Sequence, residues 1–366
     1  MELISKPGPV GAATALLAGG GSGGHVFPAL AVGAELERRG WRVSYTGTAT
    51  GMEASIAASR GLDFHPLEAS AVAGRGLFAR AAALLLLARS TVRATRLVRS
   101  LGARVVVATG GYACVPAAIG AFFARRPVVL VEPNATAGLA NRALSRIATS
   151  AAVAWPQAAR ALRCPSRETG VPVRREFFST PPVPPAGPPW RLLVLGGSQG
   201  AAALNESVPA ALDRLRRDRG LAVSVVHQAG RGKEDAPRRA YAASGIDAQV
   251  VSFLDDVPSA MAASHLVLSR AGAVTLAEIC AAGRAAVLFP LALAAGHQIG
   301  NAKALERAGA AAVVEAPVET AALAEILARL LDPLLLTGMG QAARSMARPR
   351  AAESIADLVQ EAVACR

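Results

Sequence analysis

Leu16-Leu17-Ala18-Gly19-Gly20-Gly21-Ser22-Gly23-Gly24-His25-Val26-Phe27-Pro28 is the stretch that decides the fold of this 366-residue chain. An apolar strand candidate, Ala12–Ala18, runs into glycines at 19, 21 and 24 and then into a helical pattern. Strand, tight glycine turn and helix in that order open a βαβ unit whose helix N-terminal amides face an anion. Five of the six residues from Gly19 to Gly24 are glycine, an entropic cost that a turn alone does not require. The same grammar returns at Arg191–Leu195, followed by Gly196-Gly197-Ser198-Gln199-Gly200-Ala201 and a second helix. There a serine hydroxyl joins the amides, which suits a pyrophosphate.

Outward from these two loops, strand candidates alternate with amphipathic helices. The first half offers Arg42–Thr46, Arg104–Thr109, Pro127–Val131 and Ile147–Val153; the second offers Ala222–His227, Gln249–Phe253, Leu266–Ser269, Ala286–Pro290 and Ala311–Val314. Alternation of this kind predicts parallel sheets with helices on both faces. Between the halves, Ser179–Pro189 holds six prolines in eleven residues, which neither a helix nor a central strand accepts. The expected fold is α/β, with two Rossmann-like domains spanning 1–173 and 174–348, followed by a helical segment after Pro349.

Composition narrows the partners. Hydrophobic residues make up 52% of the chain, aromatics 4%, and the formal charge is +13. Nine arginines and no carboxylate occur from Ala69 to Val131, a bias that codon usage does not produce in one stretch. An anionic partner follows: a membrane surface, a phosphorylated substrate or nucleic acid. The arginine-dense run Arg80–Arg104 has no interleaved aromatics for base stacking, which argues against nucleic acid. Cys114, Cys164, Cys280 and Cys365 are scattered, with no metal-ligand spacing, and read as small core residues in a reducing compartment. The longest strongly apolar run, Ala81–Ala88, is too short to cross a bilayer.

The first loop alone would suggest a dinucleotide fold, which needs a ribose-binding acid about twenty residues on. The sequence there, Val43-Ser44-Tyr45-Thr46-Gly47-Thr48, has no carboxylate before Glu53, so that option is set aside. His25, at a helix start beside the glycines, suits a general base or a phosphate contact, and equally a structural histidine. In the second half, Ser269-Arg270-Ala271-Gly272-Ala273-Val274 leads into a helix carrying Glu278, a carboxylate placed to accept ribose hydroxyls unless it is merely solvated. His297 and Gln298, after another strand, suit sugar hydroxyls. No Asp-x-Asp motif offers a divalent cation site, and Asp255-Asp256 reads as a helix cap. No metal and no cofactor is expected, with leaving-group charge met by amides, helix dipoles and arginine.

Taken together, Gly20–Pro28, Thr109-Gly110-Gly111-Tyr112, Glu132-Pro133-Asn134, Pro172-Val173-Arg174, Gly196–Ala201, Ser269–Ala273 and His297-Gln298 resemble, in order and spacing, the MurG family of bacterial glycosyltransferases. The resemblance runs from about Thr14 to the C-terminus. It implies a GT-B fold, two parallel-sheet domains facing a cleft, with an N-terminal acceptor and membrane domain, a C-terminal donor domain, and a last helix, 349–366, packing back on the first domain. It implies inverting transfer of N-acetylglucosamine from UDP-N-acetylglucosamine to the C4 hydroxyl of the N-acetylmuramic acid of lipid I, giving lipid II for peptidoglycan. By motif match, Ser198 meets the donor diphosphate, Phe253 and Leu254 the uracil, and Glu278 the ribose. Ala273 and Val274 approach the sugar through their backbone, Gln298 and Asn134 contact it, and Arg174 reaches the phosphates. Gly21, Ser22, Gly23, Gly24 and His25 face the acceptor diphosphate, with His25 the candidate base. The family pattern has glutamine where this chain has Pro133, asparagine at Val171 and an acid at Gly296.

Lipid I is held in the membrane, so the resemblance places the protein peripherally on the cytoplasmic face, with an anionic membrane surface and other cell-wall synthesis proteins as partners. Arg75, Leu77, Phe78 and Arg80 are the expected membrane contacts, while the leucine run Leu84–Leu87 is expected to be mostly core. Two rival readings share parts of this pattern: a transferase that sugars diacylglycerol, and a UDP-sugar epimerase on the same fold. The epimerase would need acids flanking the sugar and would have no use for an apolar basic patch.

Overall fold

The computed structural model describes residues 12–70, 77–181, 187–197, 199–291 and 297–365, with the side chains of 77–80 outside the described set. Arg75 and Ser198 lie outside the described residues, and so do the side chains of Leu77, Phe78 and Arg80. The chain divides into two compact units, residues 1–173 with 350–366, and residues 174–349.

Unit 1 carries strands β1 (Thr14–Ala18), β2 (Arg42–Gly47), β3 (Phe64–Pro66), β4 (Ala103–Ala108), β5 (Val128–Glu132), β6 (Ser150–Val153) and β7 (Ser166–Glu168). They form one parallel sheet in the order β3-β2-β1-β4-β5-β6-β7. Its helices are α1 (Gly23–Arg38), α2 (Met52–Arg60), α3 (Leu77–Ser100), α4 (Val115–Phe123), α5 (Leu139–Leu144) and α6 (Pro156–Ala159). β1, β5 and β6 are buried along their whole length, as continuous apolar runs should be when helices cover both faces. The strand order reverses at β1, whose neighbours are β2 and β4. The glycine loop after β1 therefore opens at the switch point, where α/β sheets hold ligands.

Unit 2 repeats the plan. Strands β8 (Trp190–Leu195), β9 (Val223–Gln228), β10 (Asp247–Val251), β11 (Leu266–Ser269), β12 (Ala285–Leu288) and β13 (Ala311–Val313) lie in the order β10-β9-β8-β11-β12-β13, all parallel. Helices α7 (Ala202–Arg219), α8 (Asp235–Ala243), α9 (Val257–Ala263), α10 (Ala273–Ala282), α11 (His297–Arg307), α12 (Thr320–Leu330) and α13 (Pro333–Ser345) pack around it. The switch point falls at β8, again directly before a glycine loop. The segment entering this unit is tied down by two arginines. Arg284, fully buried, donates to the carbonyls of Pro181, Met261 and Ala262, and Arg344 donates to those of Phe178 and Thr180. Burial, with Arg344 nearby, lowers the Arg284 pKa to about 10, so it stays charged at neutral pH, held by carbonyl dipoles rather than by a carboxylate.

The last helix, α14 (Ala351–Ala364), belongs to unit 1. Ile355, Ala356, Leu358 and Val359 enter the core formed by Leu17, Val105, Val107 and Val129. Arg39, the C-cap of α1, donates to Asp357 and Gln360, each at 2.6 Å, and Arg167 grips Glu361 with two bonds, at 3.0 and 2.8 Å.

Two sequence expectations need correction, and two strands carry no sequence signal. β3 and β7 are three-residue edge strands, exposed or half-buried, with no apolar run to betray them. The leucine run is not core: Leu84 is 56% and Leu85 74% exposed. α3 instead buries the small residues Ala83, Ser90, Thr91, Ala94 and Val98, one helical stripe, because only small side chains permit the close packing seen where Gly120 of α4 meets Ala94. Cys365 is exposed at the end of α14, whereas Cys114 and Cys280 are buried.

Candidate functional site

In unit 1, α1 begins directly behind the glycine loop, and its N-cap Ser22 makes no side-chain capping bond. The first-turn amides at Gly23 and Gly24 have no acceptors within the helix and stay near the surface. Gly21 adopts φ +82°, which only glycine takes without strain. His25 stands two residues into the helix, its Nδ1 2.8 Å from the Thr109 carbonyl, while the Thr109 hydroxyl donates to the His25 carbonyl at 2.7 Å. A proton on Nδ1 satisfies that contact and leaves Nε2 as the basic nitrogen. The ring is housed by Gly110 and Gly111, both at positive φ: a Cβ on Gly110 would come within 2.9 Å of the imidazole, and one on Gly111 within 3.1 Å. The sequence had shown Thr109–Tyr112 only as a family likeness; the fold reveals it as the socket of His25.

Glu53, too far along the sequence for a ribose acid, nevertheless reaches the loop. It is 1% exposed and accepts the Gly21 amide at 3.1 Å, the Thr48 amide at 2.9 Å and the Thr48 hydroxyl at 2.6 Å. Burial alone would raise its pKa, but these donors outweigh it and hold the carboxyl below its usual range.

Asn134 sits where β5 ends, and its neighbour Glu132 organises the turn. Glu132 accepts from the Asn134 amide and Nδ2, both at 3.0 Å, from the Gly138 amide at 2.8 Å and from Asn141 Nδ2 at 2.9 Å. The Asn134 carboxamide is thus fixed through its nitrogen, leaving its oxygen to be presented. Pro133, which has no N–H to offer, fits a turn in which the amides of its neighbours are already committed.

In unit 2 the candidates gather at the carboxyl ends of the parallel strands. Gly196 and Gly200 lie against the carbonyls of Gln228 and Ala229, so close that neither has room for a Cβ, and Lys233 donates to the Gln199 carbonyl at 2.7 Å. Beneath them runs a buried polar chain. Tyr241 hydroxyl meets His227 Nδ1 at 3.0 Å, His227 Nε2 meets Asn205 Oδ1 at 3.0 Å, and Asn205 Nδ2 donates to Ala229 at 3.0 Å. Burial lowers the His227 pKa to about 4, so the chain is neutral under ordinary conditions. Phe253 follows β10 and is 42% exposed, with Leu254 half-buried beside it. Asp256 caps α9 by accepting the Ser259 amide at 3.1 Å, as its sequence position suggested.

Gly272 starts α10, whose first residues Ala273 and Val274 are buried. Glu278 lies one and a half turns further on; desolvation raises its pKa to about 7, and Arg174 opposes the shift. Arg174 acts electrostatically on Asp256 as well, and its guanidinium lies 5.1 Å from the centre of the Phe177 ring. The fold thus brings Arg174, Asp256 and Glu278 into one electrostatic neighbourhood. Gln298 accepts the Leu291 amide at 3.0 Å, and Asn301 ties α11 to the Ala271 carbonyl at 3.2 Å. Gln298 therefore presents its NH2 group, a donor suited to a sugar oxygen.

Residues 15–153 match the glycosyltransferase family 28 N-terminal domain, and residues 191–361 match the family's C-terminal domain. The chain belongs to glycosyltransferase family 28. A relative from Sorangium cellulosum, named UDP-N-acetylglucosamine--N-acetylmuramyl-(pentapeptide) pyrophosphoryl-undecaprenol N-acetylglucosamine transferase, is 47% identical over 368 residues, covering 96% of this chain and 89% of that protein. One of the same name from Solibacter usitatus is 40% identical, covering 96% and 97%. The crystal structure of Acinetobacter baumannii MurG aligns with a TM-score of 0.79 at 32% identity, covering 96% of this chain and 99% of that one. The two parallel-sheet units expected from the sequence are the GT-B architecture of family 28.

Proposed function

We propose that this chain transfers N-acetylglucosamine from UDP-N-acetylglucosamine to the C4 hydroxyl of the N-acetylmuramic acid of lipid I, forming lipid II with inversion. The observation that carries the reading is near-full-length identity of 40–47% to curated transferases of that name, in a chain whose two units both match family 28 domains. Unit 2 holds the donor. The Gly196–Gly200 loop and the N-terminus of α10 take the diphosphate, Phe253 and Leu254 flank the uracil, Glu278 accepts the ribose hydroxyls, and Gln298 donates to the sugar. Arg174, beside Glu278, offsets charge on the departing UDP, so that no divalent cation is needed. Unit 1 holds the acceptor, whose diphosphate lies on the amides of Ser22–Gly24. His25 Nε2 takes the proton as the C4 oxygen attacks the anomeric carbon and the bond to UDP breaks. Asn134 steadies the donor sugar.

Unit 1 also carries the membrane contact. Among the described residues no helix is long and apolar enough to cross a membrane. Leu84, Leu85, Val92, Phe122 and Phe123 on α3 and α4 are all exposed, and a groove of about 610 Å³ between these helices is edged by Arg96 and Arg99. Apolar side chains rimmed by arginine suit the interface of an anionic leaflet, which adds roughly 1 kcal/mol per arginine. Arg75, Leu77, Phe78 and Arg80 extend the same sequence stretch.

Radiolabel transfer from UDP-N-acetylglucosamine to a lipid I analogue tests the reading, with diacylglycerol as the competing acceptor and with EDTA in parallel. Product from lipid I alone, undiminished by EDTA, is expected. Product from diacylglycerol instead would overturn the acceptor, and loss of product in EDTA would overturn the metal-free step.

A further inference from the structure

The first glycine loop is shaped by a carboxylate as much as by its own glycines. Ideal Cβ atoms at Gly20 and Gly51 would collide with the Glu53 carboxyl, and one at Gly47 would come within 2.5 Å of its Cγ. These glycines belong to three separate segments, the β1–α1 loop, the end of β2 and the N-cap of α2. Together they clear the volume that one buried side chain fills. Glu53 accepts three hydrogen bonds there, and one comes from Gly21, inside the loop.

Its place is telling. In a dinucleotide fold the crevice beside the first glycine loop, at the end of the second strand, receives the ribose, and an acid there points at the ligand. Here the acid points at the loop. The Gly21 amide is taken, and Glu53 occupies the β2 side of the crevice. The β4 side is crowded too: a Cβ on Gly111 would lie 2.6 Å from the Gly20 carbonyl, and the Tyr112 ring lies 3.6 Å from the Cβ position of Gly21. What stays open is Ser22–Gly24, the start of α1, next to His25.

We infer that Glu53 is a positioning residue that plugs the nucleotide side of the β1–α1 loop and fixes the loop so that the acceptor's diphosphate seats on Ser22–Gly24 beside His25. The inference rests on the assignment of the acceptor to this loop. On that assignment, a glycine-rich loop of dinucleotide appearance is closed to a nucleotide in this unit, because a negative side chain already fills the crevice where one would lie.

The test is steady-state kinetics of the full chain carrying Glu53→Gln, which keeps the size and removes the charge and one acceptor. The KM for a lipid I analogue should rise about tenfold, the scale of one hydrogen bond to a charged group, while the KM for UDP-N-acetylglucosamine stays within about twofold. Thr48→Val, which removes one donor to the carboxylate, should give the same split at about threefold and serves if Glu53→Gln fails to fold. An unchanged acceptor KM, or equal rises in both KM values alongside a lower melting temperature, would overturn the inference. Gly24→Ala separates it from the assignment beneath it. A methyl there meets only Ser22 Oγ at 3.6 Å, so the loop tolerates it, yet it stands against a bound diphosphate. If Gly24→Ala raises the acceptor KM and Glu53→Gln does not, only the Glu53 inference fails. If neither does, the loop is not the acceptor site.

Discussion

A histidine acts as a base only if its environment selects one nitrogen for the task, and the Thr109 carbonyl does this for His25 by engaging Nδ1. Replacement by alanine should lower kcat by about 10²- to 10⁴-fold, the usual worth of a positioned base, and leave the KM for the UDP-sugar within about twofold. Near-normal turnover of His25→Ala at saturating substrates would remove it from the chemistry. Glu278 makes a sharper claim about pH. Burial raises its pKa to about 7, so the empty site tends to hold it protonated below that pH. Ribose hydroxyls donate to the carboxylate form, so donor binding must release that proton. Donor affinity should therefore fall about tenfold per pH unit below 7 and level off above it. Titration of UDP from pH 5.5 to 8.5 checks this, and Glu278→Gln should flatten the profile. Both residues stand out as candidates in the sequence because each follows a strand–glycine–helix signature. Glu53 and the Gly110–Gly111 socket were not. Their roles depend on strands β1, β2 and β4 becoming neighbours, and spacing along the chain does not report that.

Helix α3 shows how an element can defeat a reading of composition. Four consecutive leucines suggest burial, but a helix turns about 100° per residue and spreads four neighbours around its circumference, and the packed stripe of α3 consists of Ala83, Ser90, Thr91, Ala94 and Val98. Small residues let α3 approach α4 closely, which pushes Leu84 and Leu85 outward. The helical period, rather than the leucine count, carries that outward face in the sequence. If those leucines contact lipid, the double variant Leu84→Glu and Leu85→Glu should weaken sedimentation with anionic vesicles by at least about tenfold, since burying each leucine is worth roughly 1.5–3 kcal/mol. Its melting temperature should stay within a few degrees, because exposed side chains carry little of the fold. A lowered melting temperature with unchanged vesicle binding would return the leucines to the core. The edge strands β3 and β7 escaped notice for the opposite reason: each is too short to show a period, and only the sheet beside it makes it a strand.

On the scale of the whole molecule, the chain closes its first unit with its last helix. Two glycine loops and a proline-rich junction were enough to read two parallel-sheet units from sequence, since each sheet carries its own apolar strands. The packing of α14 on unit 1 was an expectation of the family resemblance and not of spacing, because its partners, Leu17, Val105, Val107 and Val129, lie more than two hundred residues away. Ile355, Leu358 and Val359 bury roughly 1.5–3 kcal/mol each, a sum of the same order as the stability of an ordinary domain. The charged contacts of Arg39 and Arg167 with α14 add less, being partly exposed. Ending the chain at Pro349 should therefore unfold unit 1, or lower its melting transition by well over ten degrees, and spare unit 2, whose core of Trp190, Leu192, Leu204, Leu212 and Phe289 includes no residue of α14. Calorimetry should show two transitions collapse towards one. UDP should still bind the truncated protein within about threefold of the full chain, because no donor contact proposed on unit 2 is removed, while transfer to lipid I is lost with the acceptor loop. If UDP binding disappears together with transfer, the donor site draws on unit 1. If transfer survives, α14 is an ornament of unit 1 rather than part of its core.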